Sequence, residues 1–404
     1  MTRKKTTGKS RSTRSKRQKR MSPAASAVVL VILIILGGYY LFTGADPLGI
    51  FDEGTANPGG TSGVELPAMV GSGGDWWQVY FTEPRHGENP DELTASIPKK
   101  LIERINQAQS SIHIAAFEFD LPPVAEALAA ARGRGVDVRW ITDDENGIEA
   151  DEEDGLELFP QLEKAGIEVK DDGRSALMHN KFWIFDNQTV WTGSTNITAN
   201  GNFRNNNNVL VIDSSQVAAI YEREFAEMWA GEFGPTSPST VGDQLVTIDD
   251  TPVQVLFGAE DEVISHLTAL VENAQKNIRF MAFSFTDDDL GEAVLARAEA
   301  GVEVQGIFET RGSETEYSEL SRLYCADVPV RQDGNPGTFH HKVFVIDDQI
   351  VVTGSLNFSE NANDSNDENV VIVSNRDIAA QYLQEFERRW TEAETPDPAE
   401  MNCR

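Results

Sequence analysis

The stretch HNKFWIFDNQTVWTGSTNI at residues 179–197 aligns without a gap on HHKVFVIDDQIVVTGSLNF at residues 340–358. Nine of the 19 positions are identical. The same offset of 161 residues continues into a helical pattern, in which residues 218–229 match residues 379–390. The chain therefore contains one structural unit twice, and this repeat decides the fold.

The repeat also extends upstream of these stretches, where residues 111–119 match residues 277–285 at an offset of 166. Each copy shows an amphipathic helix, a β-rich run, a second helix and a short strand. The predicted helices are residues 101–108 and 124–132 in the first copy, and 263–274 and 290–300 in the second. Such alternation is typical of a mixed or parallel sheet covered by helices. We therefore expect an α/β protein with two similar α/β/α sandwich lobes, related by a pseudo-twofold axis at which equivalent loops meet.

Composition and the repeat together divide the chain into seven predicted segments. They are a basic cytoplasmic tail (1–23), a transmembrane helix (24–43), a flexible Gly-rich linker (44–75), lobe one (76–234), an inter-lobe linker (235–251), lobe two (252–396) and a short tail (397–404).

The N-terminal region predicts a membrane anchor. Ten Lys and Arg residues and no acid lie within residues 1–45, and residues 24–42 are uncharged and mostly apolar. As a helix, this run would span about 28 Å, which matches the hydrocarbon core of a bilayer. The basic side favours the cytoplasm, so we expect a single-pass protein of the cell membrane whose lobes lie outside the cytoplasm. A cleaved signal peptide is the alternative interpretation.

The charge of the chain bears on the substrate and on the partners. The formal net charge is −31, and the part after the basic tail has 24 basic against 65 acidic residues, a formal charge of −41. Nucleic-acid binding depends on neutralising phosphates, so a nucleic-acid partner is disfavoured. Two cysteines, Cys325 and Cys403, are too few for a disulfide scaffold or a four-thiolate zinc site. Whether the two pair is left open.

Both copies carry the same candidate catalytic residues. His179 and Lys181 are two residues apart, as are His340 and Lys342, so each pair projects from one face of an extended strand. A Gly-Ser-x-Asn turn follows in each copy. Two imidazoles, two ammonium groups and two carboxamides form a set of donors suited to a phosphodiester, in which one histidine attacks phosphorus and the other protonates the leaving oxygen.

The doubled His-x-Lys-x4-Asp-x6-Gly-Ser-x-Asn pattern resembles the phospholipase D superfamily, over residues 76–396. The resemblance implies two-step displacement through a phosphohistidine, one active site shared between the lobes, and no metal or other cofactor. It makes His179 the nucleophile and His340 the general acid. The residues expected to hold the phosphate are Lys181, Lys342, Asn196, Asn357, Ser194 and Ser355.

Four further residues are expected to orient this set. Asp186 and Asp347 are expected to be structural supports. The family usually has an acid that hydrogen-bonds the motif histidine, and Glu368 suits this role for His340. The equivalent residue in lobe one is Asn207, which we expect beside His179, because a neutral amide can fix the tautomer of a nucleophile without charging it.

The predicted function is hydrolysis of phospholipids to phosphatidic acid and head group, with membrane lipids as substrate. A membrane-anchored nuclease, a phosphatidyltransferase and a non-enzymatic phosphate-binding scaffold are the alternatives. The oligomeric state is not readable from the sequence, although a monomer contains a complete predicted site. The acidic segment 143–154 is expected to be a solvated loop rather than a calcium site.

Overall fold

In the computed structural model, residues 70–85, 93–237 and 244–403 are described. The predicted cytoplasmic tail, the transmembrane helix and residues 44–69 of the predicted linker lie outside these ranges. No helix within the described ranges is long and apolar enough to cross a membrane.

Lobe one is built on an eight-stranded mixed sheet. Its strands are β1 (Val70–Gly73), β2 (Trp77–Phe81), β3 (Ser111–Ala116), β4 (Asp137–Thr142), β5 (Glu168–Asp171), β6 (Lys181–Phe185), β7 (Thr189–Gly193) and β8 (Asn208–Asp213). They lie in the order β1-β2-β8-β7-β6-β3-β4-β5. Strands β3, β4 and β5 are parallel to one another, and every other neighbouring pair is antiparallel.

Lobe two repeats this sheet strand for strand. Its strands are β9 (Leu245–Ile248), β10 (Thr251–Phe257), β11 (Asn277–Ala282), β12 (Glu303–Phe308), β13 (Val330–Gln332), β14 (Lys342–Ile346), β15 (Ile350–Gly354) and β16 (Asn369–Ser374). Their order, β13-β12-β11-β14-β15-β16-β10-β9, is that of lobe one read from the other edge. The duplicated sequence therefore encodes a duplicated topology.

Helices connect the strands and cover the sheets. In lobe one they are α1 (Ile97–Gln107), α2 (Pro122–Gly133), α3 (Ala150–Asp154), α4 (Leu158–Lys164), α5 (Ala199–Phe203) and α6 (Ser215–Trp229). In lobe two they are α7 (Val263–Glu272), α8 (Asp288–Glu299), α9 (Glu319–Cys325), α10 (Glu360–Asp364) and α11 (Arg376–Glu392). Helix α1 begins four residues before its predicted start, because Ser96 accepts a hydrogen bond from the backbone of Lys99 as an N-cap.

The hydrophobic core has three parts, and the middle one belongs to both lobes. An outer core packs α1, α2 and α4 on the sheet of lobe one, and an equivalent core packs α7, α8 and α9 on the sheet of lobe two. Between the sheets, the buried faces of α6 and α11 join side chains from both sheets in one cluster, which includes Ile184, Tyr221, Val345 and Tyr382. The lobes therefore share a buried layer and cannot separate without exposing it to water.

Three sequence-based expectations need correction here. Val70–Gly73 and Leu245–Ile248, which lie in the predicted linkers, form the edge strands β1 and β9. The acidic segment is also more than a solvated loop, because Asp144–Glu149 forms a π-helical turn that leads into α3. Within it Asp151 is buried and accepts hydrogen bonds from the backbone of Leu158 and Phe159. The apolar patterns that predict strands and helices do not report such local hydrogen bonds.

The two cysteines, whose pairing the sequence leaves open, form a disulfide. The Cα atoms of Cys325 and Cys403 are 5.3 Å apart, within the range that a disulfide can bridge. The bond joins the end of α9 to the C-terminal segment.

Candidate active site

The two motif histidines lie at the contact between the lobes. The backbone N–H of His179 donates to the carbonyl of Asp367 in lobe two, at 2.9 Å. The backbone N–H of His340 donates to the carbonyl of Asn206 in lobe one, also at 2.9 Å. The backbone of each histidine is thus hydrogen-bonded to the segment before the last strand of the other lobe, which is β16 for His179 and β8 for His340.

The hairpin after each histidine holds the motif in place. Asp186 and Asn187 both have positive φ, near 53°, which is the conformation of the tight turn that joins β6 to β7. The carboxylate of Asp186 then accepts hydrogen bonds from the backbone N–H groups of residues 109–111. Asp347 repeats this arrangement with the N–H groups of residues 275–277. These two aspartates fasten each hairpin to the segment that joins the preceding helix to β3 or β11, the structural role implied by the resemblance.

Glycine is required where the motif turns back. A Cβ atom at Gly193 would lie 2.3 Å from the carbonyl oxygen of Asn208, and one at Gly354 would lie 2.1 Å from that of Asn369. The motif serines that follow can therefore approach strands β8 and β16 closely.

The side chains of the histidines are also held across the lobes. Nδ1 of His179 lies 2.8 and 2.9 Å from the two carboxylate oxygens of Glu368. Nδ1 of His340 lies 2.9 Å from Oδ1 of Asn207 and 3.1 Å from the carbonyl of Ser194. In each case Nδ1 faces the protein, which leaves Nε2 as the nitrogen available for chemistry.

The orientation of Asn207 fixes the tautomer of His340. Asn207 Nδ2 donates to the carbonyl of Gly201 at 2.8 Å, so Oδ1 is the atom that faces the histidine. Oδ1 also accepts from the hydroxyl of Ser194, at 2.8 Å. Because an amide oxygen and a carbonyl oxygen can only accept, Nδ1 of His340 carries a proton. Its Nε2 is then free to receive or give one.

The two motif lysines are almost fully buried between the lobes. Lys181 is 3% exposed and Lys342 is 1% exposed. Their Nζ atoms donate to the carbonyls of His179 and His340, at 2.9 and 3.1 Å.

Two phenylalanines line the lysines and histidines. Lys181 Nζ lies 4.9 Å from the ring centre of Phe117, and Lys342 Nζ lies 4.6 Å from that of Phe283. The same two rings meet the histidine rings edge to face. Each lobe thus keeps an ammonium group in a desolvated position, where an anion is its natural counterion.

Burial and the two lysines shift the pKa values of the site. Burial, followed by the charge of Lys181 and Lys342, lowers the pKa of His179 well below its usual value. The same causes lower the pKa of His340. Burial also lowers the pKa of Lys181, to about 8, and that of Lys342. Burial raises the pKa of Glu368, to about 8. Without a bound anion, the neutral forms of the histidines, the lysines and Glu368 are therefore favoured. A bound anion favours the charged forms of the lysines and histidines.

The site matches a known family in both lobes. The sequence profile of the family described as "Cardiolipin synthase, PLD-like domain" matches residues 101–229 and 267–390. The chain belongs to the phospholipase D superfamily.

Two relatives agree with this membership. Over 139 residues the chain is 38% identical to the mitochondrial cardiolipin hydrolase of Xenopus tropicalis, an alignment that covers 34% of this chain and 65% of that protein. Over 121 residues it is 33% identical to a phospholipase D of Rickettsia prowazekii (strain Madrid E), covering 30% of this chain and 59% of that protein. The chain therefore spans less than two thirds of the length of these relatives.

One solved structure shares the two-lobed architecture. Phosphatidylserine synthase of Haemophilus influenzae Rd KW20 superposes with a TM-score of 0.58, over 74% of this chain and 85% of that one. The sequences are 15% identical, so this likeness concerns the fold alone.

In this phospholipase D fold, the predicted partners of the histidines are exchanged. We expected Glu368 beside His340 and Asn207 beside His179, and both expectations are wrong. Each residue precedes the last strand of its own lobe, and that segment bonds to the histidine segment of the other lobe. The physical reason is therefore the inter-lobe pairing, which sequence offsets within one lobe do not reveal.

The motif serines lie behind the histidines rather than beside a phosphate position. Both are fully buried. Ser355 Oγ donates to Glu368 at 2.6 Å, as Ser194 Oγ does to Asn207. The expectation that Ser194 and Ser355 bind the phosphate is therefore not met. Their hydroxyls instead orient Asn207 and Glu368, which in turn orient the histidines.

The motif asparagines differ between the lobes of this phospholipase D family member. Asn196 Nδ2 donates to Glu118 Oε2 at 2.6 Å. The equivalent of Glu118 in lobe two is Ser284. Oδ1 has no hydrogen-bond partner among the described residues in either asparagine, Asn196 or Asn357. Beside the motif asparagine, lobe one therefore has a carboxylate where lobe two has a serine hydroxyl.

Sequence reasoning missed two residues that position the histidine segments. Asp143 Oδ2 accepts from the backbone N–H of Met178, at 3.1 Å, and Glu309 Oε2 accepts from that of Phe339, at 2.5 Å. Both acids follow the second parallel strand of their lobe, and they are related by the offset of 166. That spacing is the signal that could have found them.

His341 is fully buried and does not join the other histidines. Asn208 Nδ2 donates to its Nδ1 at 3.1 Å, and its Nε2 lies 3.4 Å from Glu385. This agrees with a supporting position on the opposite face of the strand.

Proposed function

We propose that this protein hydrolyses phospholipids in the manner of phospholipase D, through a phosphohistidine at His179. The observation that carries the proposal is the arrangement of the two histidines, each held through Nδ1 by the opposite lobe and flanked by a buried lysine. Family membership and relatives named cardiolipin hydrolase and phospholipase D support the reaction class.

In the first proposed step, Nε2 of His179 attacks phosphorus. The bond from phosphorus to the head-group oxygen breaks, and that oxygen takes a proton from Nε2 of His340. Lys181 and Lys342 stabilise the charge on the non-bridging oxygens. The carboxylate of Glu368 stabilises the positive charge that the ring of His179 acquires as the P–N bond forms.

In the second proposed step, water attacks phosphorus and gives its proton to Nε2 of His340. The P–N bond breaks, and phosphatidic acid leaves. His340 thereby returns to the protonated state it had at the start, and the cycle balances. An alcohol in place of water would give phosphatidyl transfer by the same route.

His179 suits the role of nucleophile better than His340. Glu368 offers a carboxylate to Nδ1 of His179, and a carboxylate stabilises the developing imidazolium. His340 faces two neutral acceptors, Asn207 and the carbonyl of Ser194. A ring with neutral partners gives up its proton more readily, which suits a general acid.

The surroundings of the site favour a lipid over a nucleic acid. A cavity of about 330 Å³ is lined by Glu118, the hydrogen-bond partner of Asn196, and also by Asp120 and Asp154. Such a lining repels the successive phosphates of a polynucleotide, whereas it accepts hydroxyl or ammonium donors of a head group. We also propose that residues 24–43 anchor the protein in the cell membrane and place the lobes outside the cytoplasm.

The test uses the full chain in detergent with mixed vesicles of phosphatidylethanolamine and phosphatidylglycerol. Released head groups are measured by mass spectrometry, and a single-stranded DNA oligonucleotide is incubated in parallel. We expect head-group release by the wild type and none by His179→Ala. DNA cleavage without lipid turnover would favour the nuclease, and a folded protein that turns over neither would favour the scaffold.

A second measurement separates the roles of the two histidines. A phosphodiester with a p-nitrophenol leaving group needs little protonation, so His340→Ala should still form the covalent adduct. His340 also activates water, so the adduct should persist in this variant and add the mass of the substrate less p-nitrophenol, that is, the phosphoryl group with its remaining ester, to the intact protein. An adduct in His179→Ala and none in His340→Ala would reverse the assignment.

A further inference from the structure

Three glutamates outside the active site lie together at the contact between the lobes. Glu224 and Glu227 share one face of α6, and Glu260 lies in the turn after β10. One carboxylate oxygen from each residue lies within 4.8 Å of the other two. Strand β10 belongs to lobe two and α6 to lobe one, so the cluster spans both lobes.

Glu224 is the least compensated member of this cluster. It is 3% exposed, and its Oε2 has no hydrogen-bond partner among the described residues. Burial, then the charges of Glu260 and Glu227, raise the pKa of Glu224 well above its usual value. A buried ionised carboxylate is strongly unfavourable unless a cation or donor neutralises it.

The repeat shows how the same position is neutralised in lobe two. Glu385 aligns with Glu224 at the offset of 161. Arg388 Nε lies 3.0 Å from Glu385 Oε2, and Arg389 Nε lies 2.8 Å from Oε1. Burial raises the pKa of Glu385, but the hydrogen bond with His341 and the charges of Arg389, His341 and Arg388 together lower it to about 2.

Lobe one lacks both of these cations. Glu227 stands at the position of Arg388, and Met228 stands at that of Arg389. Asn180 replaces His341. The position of Arg388 thus holds an acid, Glu227, in lobe one. None of these three equivalent positions in lobe one carries a basic side chain.

In each lobe, one acid of the cluster beside the last long helix comes from the opposite lobe. Glu83, which follows β2, pairs with Arg388 and Arg389 of lobe two. Glu260, which follows β10, takes the matching place beside α6 of lobe one. At α11 of lobe two, Glu83, Glu385 and Glu392 therefore pair with two arginines, whereas at α6 of lobe one the three clustered acids have no arginine at the equivalent positions.

We propose that Glu224, Glu227 and Glu260 bind a hard divalent cation, of which Ca²⁺ is the best fit, in place of the two arginines of lobe two. Carboxylate oxygens are the ligands that Ca²⁺ prefers, and its flexible geometry suits ligands drawn from a helix and a turn. The ion ties α6 of lobe one to the first strands of lobe two. Its role is to stabilise the lobe contact, and it takes no part in the reaction at the histidines.

The test compares binding and stability of the full chain after treatment with EDTA and removal of the chelator. Titration calorimetry with CaCl₂ alone, and separately with MgCl₂ alone, measures binding, and thermal unfolding measures stability. We expect one Ca²⁺ bound per chain and a rise in Tm of several degrees. If neither ion binds, or if binding leaves Tm unchanged, the proposal is wrong.

Glu224→Gln locates the site and separates binding from folding. Removing the buried charge should leave the Tm in EDTA equal to or above that of the wild type, while calcium affinity falls at least 100-fold. Glu153→Gln, which removes an exposed acid from α3, is the matched control and should bind calcium as the wild type does. Unchanged affinity in Glu224→Gln would overturn the assignment.

The double variant Glu227→Arg/Met228→Arg gives lobe one the two arginines that lobe two has at the equivalent positions. We expect its Tm to be insensitive to both EDTA and CaCl₂, because the arginines replace the ion. A calcium response equal to that of the wild type would contradict the proposal. If this variant does not fold, Glu224→Gln still decides.

Discussion

Glu368 and His179 belong to different lobes, yet both carboxylate oxygens of Glu368 lie within 2.9 Å of Nδ1 of His179. Asn207 and His340 form the reciprocal contact, at 2.9 Å. Each histidine is therefore oriented only when the lobes are docked. The shared hydrophobic layer between the two sheets is what keeps them in this position.

The first prediction concerns the charge of Glu368. Glu368→Gln keeps an acceptor for Nδ1 but removes the carboxylate that stabilises the imidazolium formed during attack. We expect kcat/KM to fall by about 10²-fold or more, within the range of positioned acid–base groups. The measurement is steady-state hydrolysis of a p-nitrophenyl phosphodiester, with thermal unfolding as a check of the fold.

Ser355→Ala is the matched control for this prediction. It removes the hydroxyl that donates to Glu368 at 2.6 Å but retains the charge. We expect a smaller loss, about tenfold. Equal losses in the two variants would show that orientation, and not charge, is what Glu368 contributes.

The second prediction concerns Asn207. Asn207→Asp places a carboxylate beside His340, and this negative charge raises the pKa of that imidazole. His340 then keeps its proton to higher pH. At saturating substrate, where the bound anion keeps Lys181 charged, we therefore expect the falling limb of the kcat profile to move to higher pH. An unchanged profile would remove Asn207 from the control of His340.

The same variant should cost stability. Gly201 accepts a hydrogen bond from Nδ2 of Asn207, and an aspartate oxygen in that place leaves the carbonyl unpaired. We expect a loss of about 1–3 kcal/mol in the free energy of unfolding, measured by urea denaturation.

These contacts also show how far the sequence could be read. The repeat predicted two equivalent lobes, and the sheets of lobes one and two have the same strand order. The residues of the His-x-Lys-x4-Asp motif are adjacent in the chain, so their shared strand and hairpin follow from local geometry. The fold and the motif strands could therefore be predicted from the sequence.

The hydrogen-bond partners of the histidines could not be predicted from the sequence in the same way. Glu368 reaches His179 because the segment at Asp367 bonds to the backbone of the opposite lobe. No pattern within one lobe encodes that contact. Edge strands β1 and β9 were missed for a related reason, since four-residue strands carry too little periodicity to stand out from a Gly- and Pro-rich segment.

The third prediction is a bell-shaped pH dependence of kcat/KM with its maximum near pH 8. Burial raises the pKa of Glu368 to about 8, so below this pH the protonated carboxyl donates to Nδ1 and leaves the proton of the ring on Nε2. Attack requires the lone pair of Nε2, so the rate rises with pH. Burial lowers the pKa of Lys181 to about 8, so above this pH phosphate binding weakens.

Saturating substrate should change only one limb of this profile. The bound phosphodiester anion favours the charged form of Lys181 and so raises its pKa. We expect the falling limb of kcat to lie at higher pH than that of kcat/KM. In Glu368→Gln the rising limb should disappear, and its persistence would assign that limb to another group.

The fourth prediction concerns head-group preference. Glu118 places a carboxylate beside Asn196 on the side of lobe one. Glu118→Gln should raise the rate on phosphatidylglycerol relative to phosphatidylethanolamine by about tenfold, the size of a ~1.4 kcal/mol electrostatic change. Competition between the two lipids in one vesicle, followed by mass spectrometry, measures this ratio.

Ser284→Glu tests the opposite side of the site. Ser284 occupies the position of Glu118 in lobe two. If the head group binds on the side of lobe one, the added carboxylate should leave the preference between the two lipids unchanged. A preference that responds to Ser284→Glu and not to Glu118→Gln would place the head group in lobe two.

The last prediction concerns the bond between Cys325 and Cys403, which are 78 residues apart in the sequence. The chain-entropy model gives about 4.5 kcal/mol of stabilisation for a closed loop of this length. We expect Cys325→Ser/Cys403→Ser to lose up to this amount in urea denaturation, and dithiothreitol to destabilise the wild type equally. Because Cys403 fastens the C-terminal segment to α9 and touches neither histidine, activity at 25 °C should be retained. Two reactive thiols in the unreduced protein would contradict the bond, whereas their absence would agree with an oxidising compartment outside the cytoplasm.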